Sequence, residues 1–314
     1  MSAQYIALDG SELRNRLVTI GSSGGGLVLV AATTGGQVSQ LGAISNASAV
    51  SSSLLGNVSG LAYLRRNERL YAVTDRGQNN QNWLIVINPC ELQIVDALPL
   101  IEQSGSPTRY RDAGFTILGH VGYISAANGN LGNDPLWRVD LRSGRSTFIT
   151  SVDDTQDLSG PGNTSGLLRA IDHGADDVVT ISPANGSNID EEGIRDGDIS
   201  SSAGAAGLGS RFFAVNGRRI LELVGDLRDN PELRLRANLP FSVDNLAAIA
   251  AISDDCSGQV CTADTNNDGV INPADFNAWI LAFNNRTPEC DQNADGLCNP
   301  ADFNAWVANF NAGC

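Results

Sequence analysis

Along most of the chain, apolar residues come in short runs closed by Gly, Asn, Asp, Ser or Pro, and long stretches of helical periodicity are scarce. The runs at 58–63, 69–75, 83–89 and 92–98 each predict a short strand. The same series returns at 113–118, 121–126, 136–141 and 146–152, a repeat of about fifty residues. A fainter copy runs through 165–171, 178–183, 211–215, 220–224 and 233–239, and an incomplete one opens the chain at 17–20, 26–31 and 38–44.

Four strands per repeat predict a mainly β body built as a β-propeller, in which each blade buries its faces against its neighbours. Four blades are counted this way, five if the Gly/Ser/Asp-rich stretch 185–210 hides a degenerate one. The run 244–252 resembles a first strand with no blade after it, and is expected to close the ring by joining the incomplete N-terminal unit. A β-sandwich or an irregular β-solenoid would use the same strands. With turns such as Val139-Asp-Leu-Arg-Ser-Gly144, residues 11–252 are similar to the YVTN and WD40-like bacterial β-propellers.

Beyond residue 252 the pattern changes, which divides the chain into a propeller-like domain, 1–252, and a small domain, 253–314. Phe276, Trp279, Ile280 and Phe283 fall at i, i+3, i+4 and i+7, the apolar stripe of a short helix, and Phe303, Trp306, Val307 and Phe310 repeat it. Each predicted helix opens with Asn-Pro-Ala-Asp, which supplies an N-cap, a proline at the first helical position and a carboxylate in the first turn.

Each helix is preceded by D-x-N-x-D-G, the front half of a twelve-residue calcium loop of EF-hand type. Alternate side chains of such a loop converge on one point. The predicted ligands of the first loop are Asp264, Asn266 and Asp268, the Val270 carbonyl, Asn272 and Asp275; those of the second are Asp291, Asn293 and Asp295, the Leu297 carbonyl, Asn299 and Asp302. Gly269 and Gly296 stand at the sharp turn. Two calcium ions are expected. No helix is predicted to enter either loop.

Loop followed by helix, twice, with Asp at position 12, resembles a dockerin, and the extra cysteines resemble the cysteine-bearing variety found on secreted bacterial proteins. The resemblance implies attachment to a cohesin-like protein or cell-surface scaffold, often in extracellular polysaccharide degradation. Dockerins commonly place hydroxyl residues at loop positions 10 and 11 and basic residues soon after; here stand Pro273, Ala274, Pro300 and Ala301, followed by Ile280, Leu281, Val307 and Ala308.

Composition narrows the classes that remain. The net charge of −15, 20 arginines and no lysine exclude the basic stripe that nucleic acid needs, and remove P-loop and lysine-based chemistry. Residues 254–314 hold nine carboxylates and one cation, Arg286. No apolar run is long enough to span a membrane. Six cysteines, five of them in or beside the acidic tail, point to disulfides and hence to an extracellular or cell-surface location, although no signal peptide is visible at the N-terminus.

Catalysis is not legible in the body. Residues 21–25 match GxSxG, but a strand follows where a nucleophile elbow needs a helix, so they are expected to be a hairpin turn. His120 and His173 fall in different repeats. The acidic stretch 190–198 is expected to be a solvated loop, or else a source of paired carboxylates on the propeller face. The leading expectation is a non-enzymatic propeller anchored through its calcium module. The alternatives are a carbohydrate-active hydrolase or lyase, and a surface protein in which the module only caps the propeller.

Overall fold

Strands form where the β-rich runs predict them, and burial explains why some runs are continuous and others alternate. The computed structural model describes residues 16–312 apart from 24–25, 34–37, 56–57, 65–66, 75–80, 120, 128–132, 154–156, 160–165, 173–174, 196–198, 200–202, 209–210, 217, 228, 230, 239–248, 253–261, 267–270 and 294–296. The chain divides into two compact units, Met1–Leu64 with Arg69–Asp255, and Arg65–Glu68 with Cys256–Cys314.

The first unit is a succession of mainly antiparallel sheets, two of which add a short parallel strand at the outer edge. Strands β1 (Arg16–Ser23), β2 (Gly26–Thr33) and β3 (Val38–Ala43) form a meander. A two-residue β4 (Ser45–Asn46) and a one-turn helix α1 (Ser52–Leu55) lead to β5 (Val58–Leu64), β6 (Arg69–Thr74), β7 (Trp83–Asn88) and β8 (Gln93–Pro99). After a two-residue β9 (Ile101–Glu102) come β10 (Arg111–Leu118), β11 (Val121–Ala127), β12 (Asn133–Asp140) and β13 (Arg145–Asp153). The next sheet is β14 (Asp157–Ser159), β15 (Leu168–Asp172), β16 (Asp177–Ile181) and β17 (Asn188–Gly193). The last is β18 (Ala203–Leu208), β19 (Arg211–Asn216), β20 (Arg219–Val224) and β21 (Glu232–Asn238).

Strand β22 (Ile249–Ile252) then returns to the first sheet, antiparallel to β1, with Ile252 opposite Arg16 and Ile249 opposite Thr19. The first strands of successive sheets, β5, β10, β14, β18 and β22, lie against one another in that order, and β22 meets β5. Among the described residues that circle makes the unit a β-propeller with five sheets as blades, its ring closed by pairing β22 with β1.

The core lies between blades. Val73 and Leu84 of one blade pack with Ala113, Phe115, Ile124 and Val139 of the next. Tyr123, Leu136 and Val152 meet Leu168, Ala170, Val179 and Ile181, and Ile171 and Val178 meet Ala205, Phe212, Ala214 and Leu223. A middle strand is therefore buried on both faces, which is why β6 and β7 read as unbroken apolar runs. Outer strands β17 and β21 are largely exposed or half-buried and carry the charges that keep a sheet edge from pairing with another chain.

What reads in the sequence as one faint third repeat is two blades. The stretch 185–210, read as the place where a degenerate blade could hide, holds β17 and β18; these and β14, with sequences Asn-Ile-Asp-Glu-Glu-Gly, Ala-Gly-Ala-Ala-Gly-Leu and Asp-Leu-Ser, are the strands not individually predicted. None has the β-branched and aromatic density of a half-buried strand. Small residues suit the first strands, where blades approach most closely. At Gly60 of β5 an added Cβ would stand 2.5 Å from the Phe115 Cβ and 2.7 Å from the Ala113 carbonyl oxygen of β10. Gly144, with φ of +68°, turns the chain beneath the Pro99 carbonyl where no side chain fits.

Two polar clusters on buried residues tie the strands, one joining a blade to the lead-in of the next and the other within a single blade. Asn82, fully buried, donates to the Thr74 and Tyr110 carbonyls and accepts from the Tyr110 amide at 2.6 Å. Glu222 in β20 accepts from Arg211 and Arg236, the former also lying over the Phe213 ring. The Arg211 hydrogen bonds foremost hold the Glu222 carboxyl below its usual value, against the opposing effect of burial. Its contribution to stability is present above pH 4.5 and lost as pH falls through the lowered value.

Two outcomes are expected. Gly60→Ala should cost about 1–3 kcal/mol in urea unfolding, because the blades must part to admit a methyl group. Glu222→Gln should cost about 1–2 kcal/mol at pH 7, discounted for the partly exposed arginines, and the gap from the unaltered chain should close as pH is lowered well below 4.5.

Candidate metal centre

The second unit is organised by two carboxylates. Helix α2 (Pro273–Asn285) starts at Asn272, whose extended backbone lets its side chain accept the Ala274 amide at 2.7 Å. Asp275 completes a capping box by accepting the Asn272 amide at 2.9 Å. Its other oxygen accepts the Asn266 amide at 3.2 Å, and the side chain is fully buried. One carboxylate therefore holds positions 3 and 9 of the preceding loop to the first turn of the helix.

Helix α3 (Pro300–Ala312) repeats the arrangement. Asn299 accepts the Ala301 amide, and Asp302, also fully buried, accepts the Asn299 amide at 2.8 Å. Its second oxygen takes the amides of Gln292 at 2.9 Å and Asn293 at 3.3 Å. The helix starts thus follow the sequence reading residue for residue.

Between the helices lies an aromatic core. The Phe276 ring is 5.1 Å from Trp306 and 6.1 Å from Phe303, while Trp279 contacts Phe283 and Phe303. The two indoles are buried and each reaches the other half of the module. Trp279 Nε1 donates to the Cys290 carbonyl, immediately before the second loop, and Trp306 Nε1 donates to Thr265 Oγ1 within the first.

Ile280, Phe303 and Val307 depart from expectation. They belong to the predicted stripes but are 37%, 42% and 36% exposed, although the Phe303 ring still touches Phe276 and Trp279. The large rings at positions 276, 279 and 283 and the buried Ala282 fill the interface, so each packed face is narrower than the pattern suggested. A three-residue 3-10 turn, Pro288–Cys290, precedes the second loop in place of an entering helix.

Of the predicted ligands, Asp264 and Asp275 are buried in the first loop, with Asn272 half-buried and Asn266 exposed. In the second loop Asp302 is buried, Asp291 and Asn299 are half-buried, and Asn293 and the Leu297 side chain are exposed. An outward Leu297 suits a position whose ligand would be its carbonyl. Asp268, Val270 and Asp295, with Gly269 and Gly296, lie outside the described residues. Among the described residues no three His, Cys, Asp or Glu side chains gather at one point. The donors offered are all oxygen, the set that suits a hard cation and not zinc.

No described cysteine is free: Cys290 is joined to Cys298, and Cys90 is disulfide-bonded as well. Cys256, Cys261 and Cys314 lie outside the described residues. The sequence reading expected disulfides here without assigning partners; the Cys290–Cys298 pairing and the indole hydrogen bonds are what the structure adds. The available signal was a cysteine on each side of the second loop.

The body offers no comparable centre among its described residues. Asp190, Glu191 and Glu192 do not form the expected loop; they lie on the outermost strand β17, opposite Thr180, Val179 and Val178. There Asn188 donates to Glu191 at 2.6 Å, and the Asp177 carboxyl is pushed up by burial first and by Glu191 next. Of the stretch 21–25 expected to be a hairpin turn, residues 21–23 are instead the end of β1, paired with β2, and 24–25 lie outside the described residues. His120, His173 and residues 196–198 lie outside the described residues. No described helix is long and apolar enough to cross a membrane.

No protein-family model and no curated protein matches the chain. Among solved structures it is similar to a chain of the nidogen/laminin complex, with 10% identity and a TM-score of 0.45 over 76% of this chain and 99% of that one. It is similar to a gluconolactonase from Xanthomonas campestris, with 10% identity and a TM-score of 0.44 over 74% and 78%. A streptogramin B lyase matches at 11% identity and a TM-score of 0.38 over 73% and 71%. These are likenesses of fold alone.

Asp302→Ala should lower the stability of the small unit by about 2–4 kcal/mol, because three backbone amides lose a buried acceptor. Tryptophan fluorescence during thermal melting, in a chain whose Trp83 and Trp137 are replaced by Phe, reports it through Trp279 and Trp306.

Proposed function

We propose that the chain is a secreted, calcium-binding protein whose C-terminal module, of dockerin kind, attaches a β-propeller to a cohesin-type partner or cell-surface scaffold. The observation that carries this reading is the pair of fully buried carboxylates, Asp275 and Asp302, each joining loop backbone to helix start. In the first loop Asp264, Asn266, Asp268, the Val270 carbonyl, Asn272 and Asp275 would hold one ion. In the second, Asp291, Asn293, Asp295, the Leu297 carbonyl, Asn299 and Asp302 would hold the other. The ion would supply the positive charge that lets several carboxylates share a small volume. The residues of this chain do the rest: they fix the loop against the helix and present the helix surface.

A propeller suits the carried role, since loops at the ends of blades form a broad ligand face. Polysaccharide is the ligand class implied by the dockerin likeness, and an extracellular location agrees with the disulfides. The hydrolase or lyase alternative draws no support from Asp190, Glu191 and Glu192, because an outermost strand places them away from the ring of first strands.

Calorimetric titration of the full chain should give two calcium ions, and chelation should lower the melting temperature of the tryptophan-reported transition by roughly ten degrees or more. Retention on an immobilised cohesin should require calcium and be lost with chelator. A transition indifferent to calcium sinks the metal reading; calcium binding without any retention sinks only the attachment.

A further inference from the structure

The two loops match closely in their ligands, yet they are not equivalent. Cys290 immediately precedes Asp291, and its disulfide partner Cys298 is eight residues on. The bond therefore encircles loop positions 1 to 7, which hold Asp291, Asn293, Asp295 and the Leu297 carbonyl. The corresponding places in the first loop are Ala263 and Ile271, which cannot be joined.

Cys290 is held from three directions. It is fully buried, its sulfur is bound to Cys298, and its carbonyl accepts Trp279 Nε1 at 3.1 Å. Past the disulfide, the far end of the second loop is fixed by Asp302 through the Asn299 amide. Both ends of the ligand-bearing segment are thus pinned before any cation arrives. The first loop has the equivalent carboxylate, and Trp306 touches it through Thr265, but among the described residues no disulfide spans its corresponding positions.

Resting on the calcium reading above, we infer that Cys290 and Cys298 are positioning residues that make the second loop the tighter of two unequal cation sites. An unliganded loop loses conformational freedom when its oxygens converge on an ion. A cross-link around that segment removes part of the freedom beforehand, and the saving appears as affinity. Trp279 then couples the sites, because filling the second loop steadies Cys290 and through it the helix that begins at the first loop.

The test uses the full chain with one loop silenced at a time. In an Asp264→Ala background, calorimetry with calcium reads the second loop alone; in an Asp291→Ala background it reads the first. Adding Cys290→Ser and Cys298→Ser together should weaken the second site by about ten- to a hundredfold and change the first by less than about threefold. The reciprocal pair Ala263→Cys and Ile271→Cys, with disulfide formation verified by mass, should tighten the first site by a similar factor even if the serine variant fails to fold. Equal affinities in both backgrounds, or a first site unmoved by its new cross-link, overturns the inference while leaving calcium binding intact. Absence of any calcium heat in the unaltered chain overturns both readings together.

Discussion

A carboxylate buried at the first turn of a helix must be satisfied from all sides, and in the small unit that requirement sets everything else. Asp275 and Asp302 each face amides from a loop and from a helix start, so loop and helix can only form together. A helix of thirteen residues is marginal alone, and two of them bury too little apolar surface to fold without help. The cap, the loop and the aromatic interface are consequently one cooperative object. The indoles extend it, since Trp279 and Trp306 each tie a helix to the half of the module that does not contain it.

The propeller solves a different problem with a related logic. Among the described residues, the core clusters of its blades span neighbouring sheets, so the apolar residues of a middle strand are shared between blades. Stability therefore depends on closing the ring, and β22 does so by pairing with β1. Small residues on the first strands, such as Gly60 against Phe115, are the condition for the blades to come close enough. Charge is pushed outward, onto strands like β17, where it prevents edge pairing; it needs no catalytic explanation there.

The sequence by itself determined the elements whose causes are local. Asn-Pro-Ala-Asp specifies a helix start through its own hydrogen bonds, and both starts appear where that pattern put them. The choice of loop residues as ion ligands rests on the same local spacing and stands as a proposal. Most blade strands were legible too, because burial on both faces demands unbroken apolar runs. The closing strand could be anticipated as a strand with no blade to follow it.

Tertiary structure alone decided what depends on neighbours. Whether 165–239 makes one blade or two turned on β14, β17 and β18, whose small or charged residues carry no strand signal and are held by the sheets they join. Ile280 and Val307 matched the stripe but lost their places to larger aromatic rings, a competition that helical periodicity does not describe. The acidic stretch at 190–192 became a sheet edge because β16 offered it a partner. Spacing along a chain reports which groups can meet within a turn; which distant surfaces cover one another is decided only when the ring closes and the helices pack.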